Sequence, residues 1–173
     1  FGAAQLVDLT DPQAAATDIR AFIADINRRK QMSRAAQRLC DGRGARRAAM
    51  ILAPEKSTNG DPVYLRPATP ADEALILEWQ QCPGARRFAR NPDVPDKATH
   101  AAWMQATLED PEILLNVIEC NGRAAGVLRL DRRPHRGELA AFEVSLLVAQ
   151  DHYRAGIGKA ALALARRLVP GAV

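Results

Sequence analysis

The sequence predicts an α+β fold: a mixed, largely antiparallel sheet flanked by helices, preceded by a separate helical segment. Three observations carry this reading. From residue 63 onward the strand-like and helix-like patterns follow the order β-α-α-β-β-β-α, not the strict alternation of a parallel doubly wound sheet. Asn121-Gly122, set between two apolar runs, marks a two-residue hairpin turn, so neighbouring strands run antiparallel. The stretch from Phe142 to Leu168, FEVSLLVAQDHYRAGIGKAALALARRL, reads as a strand, a short loop bearing glycines, and an amphipathic helix.

The elements follow in order. Leu6-Val7-Asp8-Leu9 is a short strand-like run. Asp11 can cap a helix whose first position is Pro12. Ile19, Phe22, Ile23 and Ile26 recur at i, i+3, i+4 and i+7, which predicts one continuous one-sided helix of roughly five turns. Ser33 is placed to cap a second helix reaching Cys40, and Gly42 to end it in the left-handed conformation. Residues 48–52 read as a strand or short helix closing this first unit. Residues 53–62, APEKSTNGDP, have the composition of a linker. The expected organisation is therefore a first unit over 1–52, a linker over 53–62 and a second unit over 63–173.

In the second unit Val63–Arg66 is a strand, and Thr69-Pro70 opens a helix holding Leu75, Ile76 and Trp79. A loop rich in Pro and Gly runs to about residue 96, and Thr99–Leu108 forms the next helix, with Trp103 on its apolar side. Ile113–Glu119 and Ala125–Leu130 pair across the Asn121-Gly122 turn. A basic loop, Asp131–Glu138, leads to the strand Ala141–Ala149 and then to the glycine loop. The chain begins at Phe1 and stops at Pro170-Gly171-Ala172-Val173, which reads as a piece of something longer.

Composition bounds the function. Hydrophobic residues make up 47% and charged residues 25%, a globular rather than a disordered balance. The formal charge of +4 comes from short arginine pairs and not from a long basic block. Aromatics, at 5%, do not interleave with them, so a nucleic-acid face is not expected and an anionic small substrate is. Cys40, Cys82 and Cys120 are odd in number and far apart, which predicts reduced thiols in a cytoplasmic protein. His100, His135 and His152 have no metal-ligand spacing, and no metal is expected. No apolar run is long enough to span a membrane. Oligomeric state is not readable.

Tyr153-Arg154-Ala155-Gly156-Ile157-Gly158 puts two glycines at a helix entrance, where unpaired N–H groups and the helix dipole suit a phosphate. A Walker loop is excluded, because Tyr153 stands where its first glycine belongs and Ala160 where its hydroxyl belongs. A dinucleotide fingerprint, a ligand-free glycine turn and an acyl-CoA site all remain open on these residues alone.

The segment Val144–Leu168 resembles the acyl-CoA motif of the GNAT N-acetyltransferase superfamily, whose loop is Gln/Arg-x-x-Gly-x-Gly/Ala. Tyr153 departs from it at the Gln/Arg position, where neighbouring Arg154 can compensate. The resemblance covers residues 63–170, with the start LRPATPADEALILEW included, and lacks the closing helix and strands of a complete domain. It implies acetyl-CoA as cofactor, with Leu147, Val148 and Ala149 offering backbone groups to the pantetheine arm and the thioester oxygen. It also implies that the loop Tyr153, Arg154, Ala155, Gly156, Ile157, Gly158 and Lys159 holds the pyrophosphate. Glu143 stands where the superfamily often keeps a general base; pairing with a neighbouring arginine is the alternative.

The stretch Glu78–Trp103 resembles acetyltransferases acting on amino-sugars attached to nucleotides, which implies Trp79, Arg87, His100 and Trp103 as substrate-binding residues. Two core tryptophans of amphipathic helices are the alternative. Met32-Ser33 and Cys40–Arg47 resemble the C-terminal end of the UDP-sugar hydrolase of pseudaminic acid biosynthesis, which has a glycosyltransferase-B-like fold. Together the two resemblances imply a bifunctional enzyme whose acetyltransferase half acts on a UDP-linked amino-sugar. A non-catalytic CoA-binding module, and a GNAT enzyme modifying protein N-termini or small amines, are the alternatives.

Overall fold

The computed structural model describes residues 2–134 and 141–170, without the side chain of Arg38. They form two compact units, residues 1–43 and residues 44–173. In the first, α1 (Pro12–Ala24) starts as expected: Asp11 accepts hydrogen bonds from the N–H groups of Gln13 and Ala14, and Pro12 opens the helix. The single five-turn helix does not form. Asp25 is extended and its carboxylate accepts from Arg28 N–H at 2.9 Å, so it stops α1 and caps α2 (Ile26–Leu39). Ser33 consequently lies inside α2 and not at its cap. Gly42 takes the left-handed conformation, φ +71°. Leu6–Leu9 forms no strand; Leu6 is 98% exposed and has no partner strand among the described residues.

The second unit starts earlier than the sequence implied. Residues 44–52 form a helix, α3 (Gly44–Leu52), whose Met50 is only 2% exposed and joins the same core as α6 (Ile157–Leu168). Arg46 donates to Leu168 O, and Arg167 to Ala53 O and Ala49 O, which fastens the ends of the two helices to each other. Residues 53–62, read as a linker, instead carry β1 (Glu55–Lys56), which pairs antiparallel with β2 (Pro62–Pro67). The Ser, Asn and Gly of this stretch are turn residues: Ser57 Oγ accepts from the N–H groups of Asn59 and Asp61, and Gly60 has φ +87°.

The sheet runs β1-β2-β3-β4-β5, every neighbour antiparallel, with β3 (Ile113–Cys120), β4 (Arg123–Arg133) and β5 (Ala141–Val148). Of the expected basic loop, residues 131–133 extend β4, and residues 135–138, His135 among them, lie outside the described residues. Asn121 (φ +51°) and Gly122 (φ +74°) form the β3–β4 turn that the sequence marks. β3 is buried on both faces, which is why it is apolar at nearly every position, with Asn116 buried among them. Leu114 and Ile118 face α6; Leu115 and Val117 face α4 (Glu73–Gln81) and α5 (Lys97–Glu109).

Asp72 ties β2 to α4. Its carboxylate accepts from Thr69 N–H and hydroxyl and takes both Nη groups of Arg66, at 2.8 and 2.7 Å. The Arg66 guanidinium pulls the Asp72 carboxyl down to about 2. α5 is capped by Asp96, which accepts from Thr99 N–H, so the helix begins two residues before Thr99. Opposite Ile118 and Glu119 the register of β4 slips, leaving Ala125 as an extra residue. At the slip Gly126 lies opposite Val148 with φ +158°, and a Cβ there would run into Leu147 O.

Candidate active site

The site is built on the end of β5. Ala149, 3% exposed, donates its N–H to Ala125 O at 2.9 Å. Antiparallel alternation then turns the main chain of Leu147 toward β4 and that of Leu146 and Val148 toward the open side of β5. Of the three strand residues expected to offer backbone groups, Val148 alone presents both its N–H and its C=O outward. A 3-10 turn, Gln150–His152, follows, and Tyr153 N–H donates back to Gln150 O at 3.2 Å. Ala155 N–H points to His152 O at 3.4 Å.

The remaining loop amides are free. Arg154, Gly156, Ile157, Gly158 and Lys159 donate their N–H groups to no acceptor among the described residues, and no side chain caps α6. Gly156 is the N-cap of α6, with φ +75°. Gly158 lets the helix approach the strand: a Cβ there would sit 3.3 Å from Leu146 Cδ2. Arg154 is held at φ +62°, a left-handed conformation that a side chain disfavours. The positive end of the helix, the bare amides and the exposed Arg154 and Lys159 make a cradle for an anion. Tyr153 is 53% exposed beside it.

The other end of β5 is charged. Glu143 Oε2 accepts from Arg133 Nη2 at 2.6 Å and Nε at 3.0 Å, while Arg90 Nη2 stands 2.7 Å from Oε1. The Arg133 and Arg90 guanidinium groups hold the Glu143 carboxyl below the usual carboxylate range. Cross-strand register puts Arg129, Asp131, Arg133, Glu143 and Ser145 on the face that carries α4 and α5. Arg129 grips Asp131 at 2.6 Å and lies 5.7 Å from the half-buried Trp103 ring. Gln150 Nε2 donates to Pro83 O, tying the 82–96 loop to the turn before the glycines.

Two of the expected substrate residues belong to the core instead. Trp79, 7% exposed, packs with Ile76, Met104 and Val127. His100 is 1% exposed; its Nε2 meets Glu73 O at 3.1 Å and its ring lies 5.2 Å from that of Trp103. Burial withdraws both from solvent, and His100 Nε2 is also engaged with Glu73 O. Arg87 is exposed, its guanidinium 5.2 Å from the Phe88 ring. Arg90 and Arg133, which the structure pairs with Glu143, are residues that the sequence reading passed over. Nothing local marks them, because they matter only once the 82–96 loop and two strands meet.

A family profile described as an acetyltransferase (GNAT) domain matches residues 63–169. The chain belongs to the GNAT acetyltransferase family. Solved structures share this fold. An acetyltransferase from Thermus thermophilus superposes with a TM-score of 0.54 at 22% identity, over 64% of this chain and 71% of that one. RimJ of Mycobacterium smegmatis, solved in complex with CoA-disulfide, has a TM-score of 0.51 at 21% identity, over 69% of this chain and 61% of that one. An uncharacterised protein from Bacillus halodurans has a TM-score of 0.55 at 14% identity, over 68% and 66%. This chain thus spans less than two thirds of the length of the last two. No curated protein matches it.

GNAT acetyltransferases use acetyl-CoA, and the residues present suit it. The main-chain edge at Val148 offers a donor and an acceptor to an amide-bearing arm, and the free amides from Gly156 to Lys159 suit a diphosphate without a metal. Among the described residues no helix is long and apolar enough to cross a membrane.

Proposed function

We propose that the chain carries an N-acetyltransferase site that acts on the amino group of a UDP-linked amino-sugar, in biosynthesis of the pseudaminic acid type of nonulosonate. Residues 1–52 are, in this reading, derived from the tail of that pathway's UDP-sugar hydrolase, although their last helix, α3, is packed into the acetyltransferase core. The observation that supports an anionic acceptor is the charge on the α4/α5 face. Among the described residues Arg90 and Arg133 pair with Glu143 and Arg129 with Asp131, three guanidinium groups to two carboxylates, and the exposed Arg87 lies on the same 82–96 loop as Arg90. Guanidinium groups in excess recognise a diphosphate, and Trp103 offers an aromatic edge to a sugar or a base.

Bound acetyl-CoA supplies an activated acetyl thioester. The chain's own groups would seat the donor and take the amine's proton, while the thiolate released as the C–S bond breaks would take its proton from solvent. The amides at the start of α6 seat the diphosphate, and Val148 aligns the arm along the strand. An amine arriving as ammonium has to lose a proton before its lone pair is nucleophilic. Glu143 is the carboxylate proposed to receive it, passing it to solvent because Arg133 and Arg90 keep its own proton affinity low.

Full-length protein offered a UDP-4-amino-sugar, a peptide N-terminus and an aminoglycoside, with acetylation followed by mass spectrometry, tests the acceptor. Turnover of the sugar nucleotide is expected; turnover of either of the others in its place would refute the proposal. The double arginine clamp on Glu143 also favours a second reading, a CoA-binding module without catalysis. Tight CoA binding with no turnover of any amine would establish that one.

A further inference from the structure

The hairpin between β1 and β2 reaches the glycine loop. Thr58 N–H donates to Ala155 O at 2.8 Å. A Cβ on Gly156 would lie 2.7 Å from Thr58 Oγ1 and 3.1 Å from Thr58 N. Gly156 is therefore demanded twice, once by its φ of +75° and once by the threonine standing over it. The hairpin is held in shape from within: Ser57 is only 7% exposed, and its Oγ takes the N–H groups of Asn59 and Asp61 at 3.2 and 3.1 Å. Thr58 itself is exposed, and its hydroxyl has no hydrogen-bond partner among the described residues. It stands over Gly156, whose N–H is one of the free amides. The hairpin also lies ahead of the stretch matched to the family, residues 63–169.

We infer that Thr58 is a ligand-binding residue of the donor site: its hydroxyl donates to an oxygen of the CoA diphosphate seated on the start of α6. The β1–β2 turn is then one wall of the phosphate cradle. This rests on the glycine loop being the diphosphate seat. The chemistry is favourable, because an exposed hydroxyl with no protein hydrogen bond among the described residues can exchange water for an incoming anion, and a hydrogen bond to a charged oxygen is stronger than one between neutral groups.

The test is titration calorimetry of CoA and of 3′-dephospho-CoA into full-length wild type, Thr58→Val and Thr58→Ser, with no acceptor present. Thr58→Val keeps the shape and removes the donor. It is expected to weaken both ligands alike, by about tenfold, while Thr58→Ser stays within about twofold of wild type by the same measure. Thermal melts of the three proteins report whether the hairpin remains folded, and Thr58→Ala repeats the comparison should the valine variant melt early. Unchanged affinity in Thr58→Val overturns the inference. So does an equal loss in Thr58→Ser, which would make the contact one of packing. A defect with CoA alone would move the hydroxyl to the 3′-phosphate and overturn the diphosphate assignment. Wild type that fails to bind CoA would remove the donor-site reading itself, whereas binding by wild type without a Thr58 effect removes only this inference.

Discussion

At Val148 the strand β5 presents a bare main chain leading to free amides; at Glu143, the other end of the same strand, it presents a carboxylate gripped by Arg133 and Arg90. In the proposed reading the first end meets its ligand mainly with backbone, joined by the Thr58 hydroxyl, and Gly126 and Gly156 mark where an added side chain would collide. In the same reading the second end would meet its ligand with side chains, those of Arg90 and Arg133 among them. A shared cofactor and a variable acceptor suit this division, since main-chain donors survive substitution and side-chain donors do not.

Four substitutions separate the two ends. The largest effect is expected from Gly156→Val, which puts a branched side chain at φ +75° and into Thr58. CoA affinity should fall by more than about 100-fold and stability by about 2–3 kcal/mol, as read by calorimetry and urea unfolding. Near-native CoA binding would break the backbone account of the donor end. Glu143→Gln acts at the other end: kcat should fall about 100-fold if the carboxylate accepts the proton, with CoA affinity unchanged. Because Arg133 and Arg90 lower the Glu143 carboxyl, the acid limb of wild-type kcat should lie below the ordinary carboxylate range. A rise in acceptor KM with kcat preserved would make Glu143 a positioning residue for the two arginines.

Asp72→Asn is the control that should touch neither end. The folded-state carboxyl at about 2, against an ordinary 3.8, corresponds to about 2 kcal/mol of stability. The folded value is depressed, so this contribution is fully present above about pH 4 and disappears as pH falls toward about 2. Urea unfolding of wild type and variant across that range should converge at the acid end. A gap that stays constant would mean that lost hydrogen bonds to Thr69, and not charge, account for the difference. The smallest effect belongs to Arg154→Gly. Relieving a side chain at φ +62° should raise stability by about 0.5–1 kcal/mol. CoA affinity should drop only about twofold with the loss of an exposed cation. A tenfold loss would give Arg154 the role that Tyr153 leaves open.

What was legible followed from local chemistry. The alternating apolar runs, the Asn121-Gly122 turn, the Asp11–Pro12 helix start and the paired glycines each act within a few residues, and each appears where the sequence places it. Asp25 was masked because it sits inside an apolar periodicity that reads as one helix; its carboxylate competing for Arg28 N–H decides otherwise. The 53–62 stretch has linker composition because tight turns and linkers use the same residues.

The sequence by itself determined the strand–loop–helix that builds the cradle, because glycine at a left-handed position and free amides at a helix start are properties of a short segment. Only the tertiary structure decided which side chains lie near the two ends of β5. Trp79 and His100 are candidates by type and become core by burial; Thr58, Arg90 and Arg133 carry no local mark and reach the glycine loop and Glu143 from distant segments. Burial and proximity across the sheet depend on pairing register and helix packing, and no window of sequence contains them.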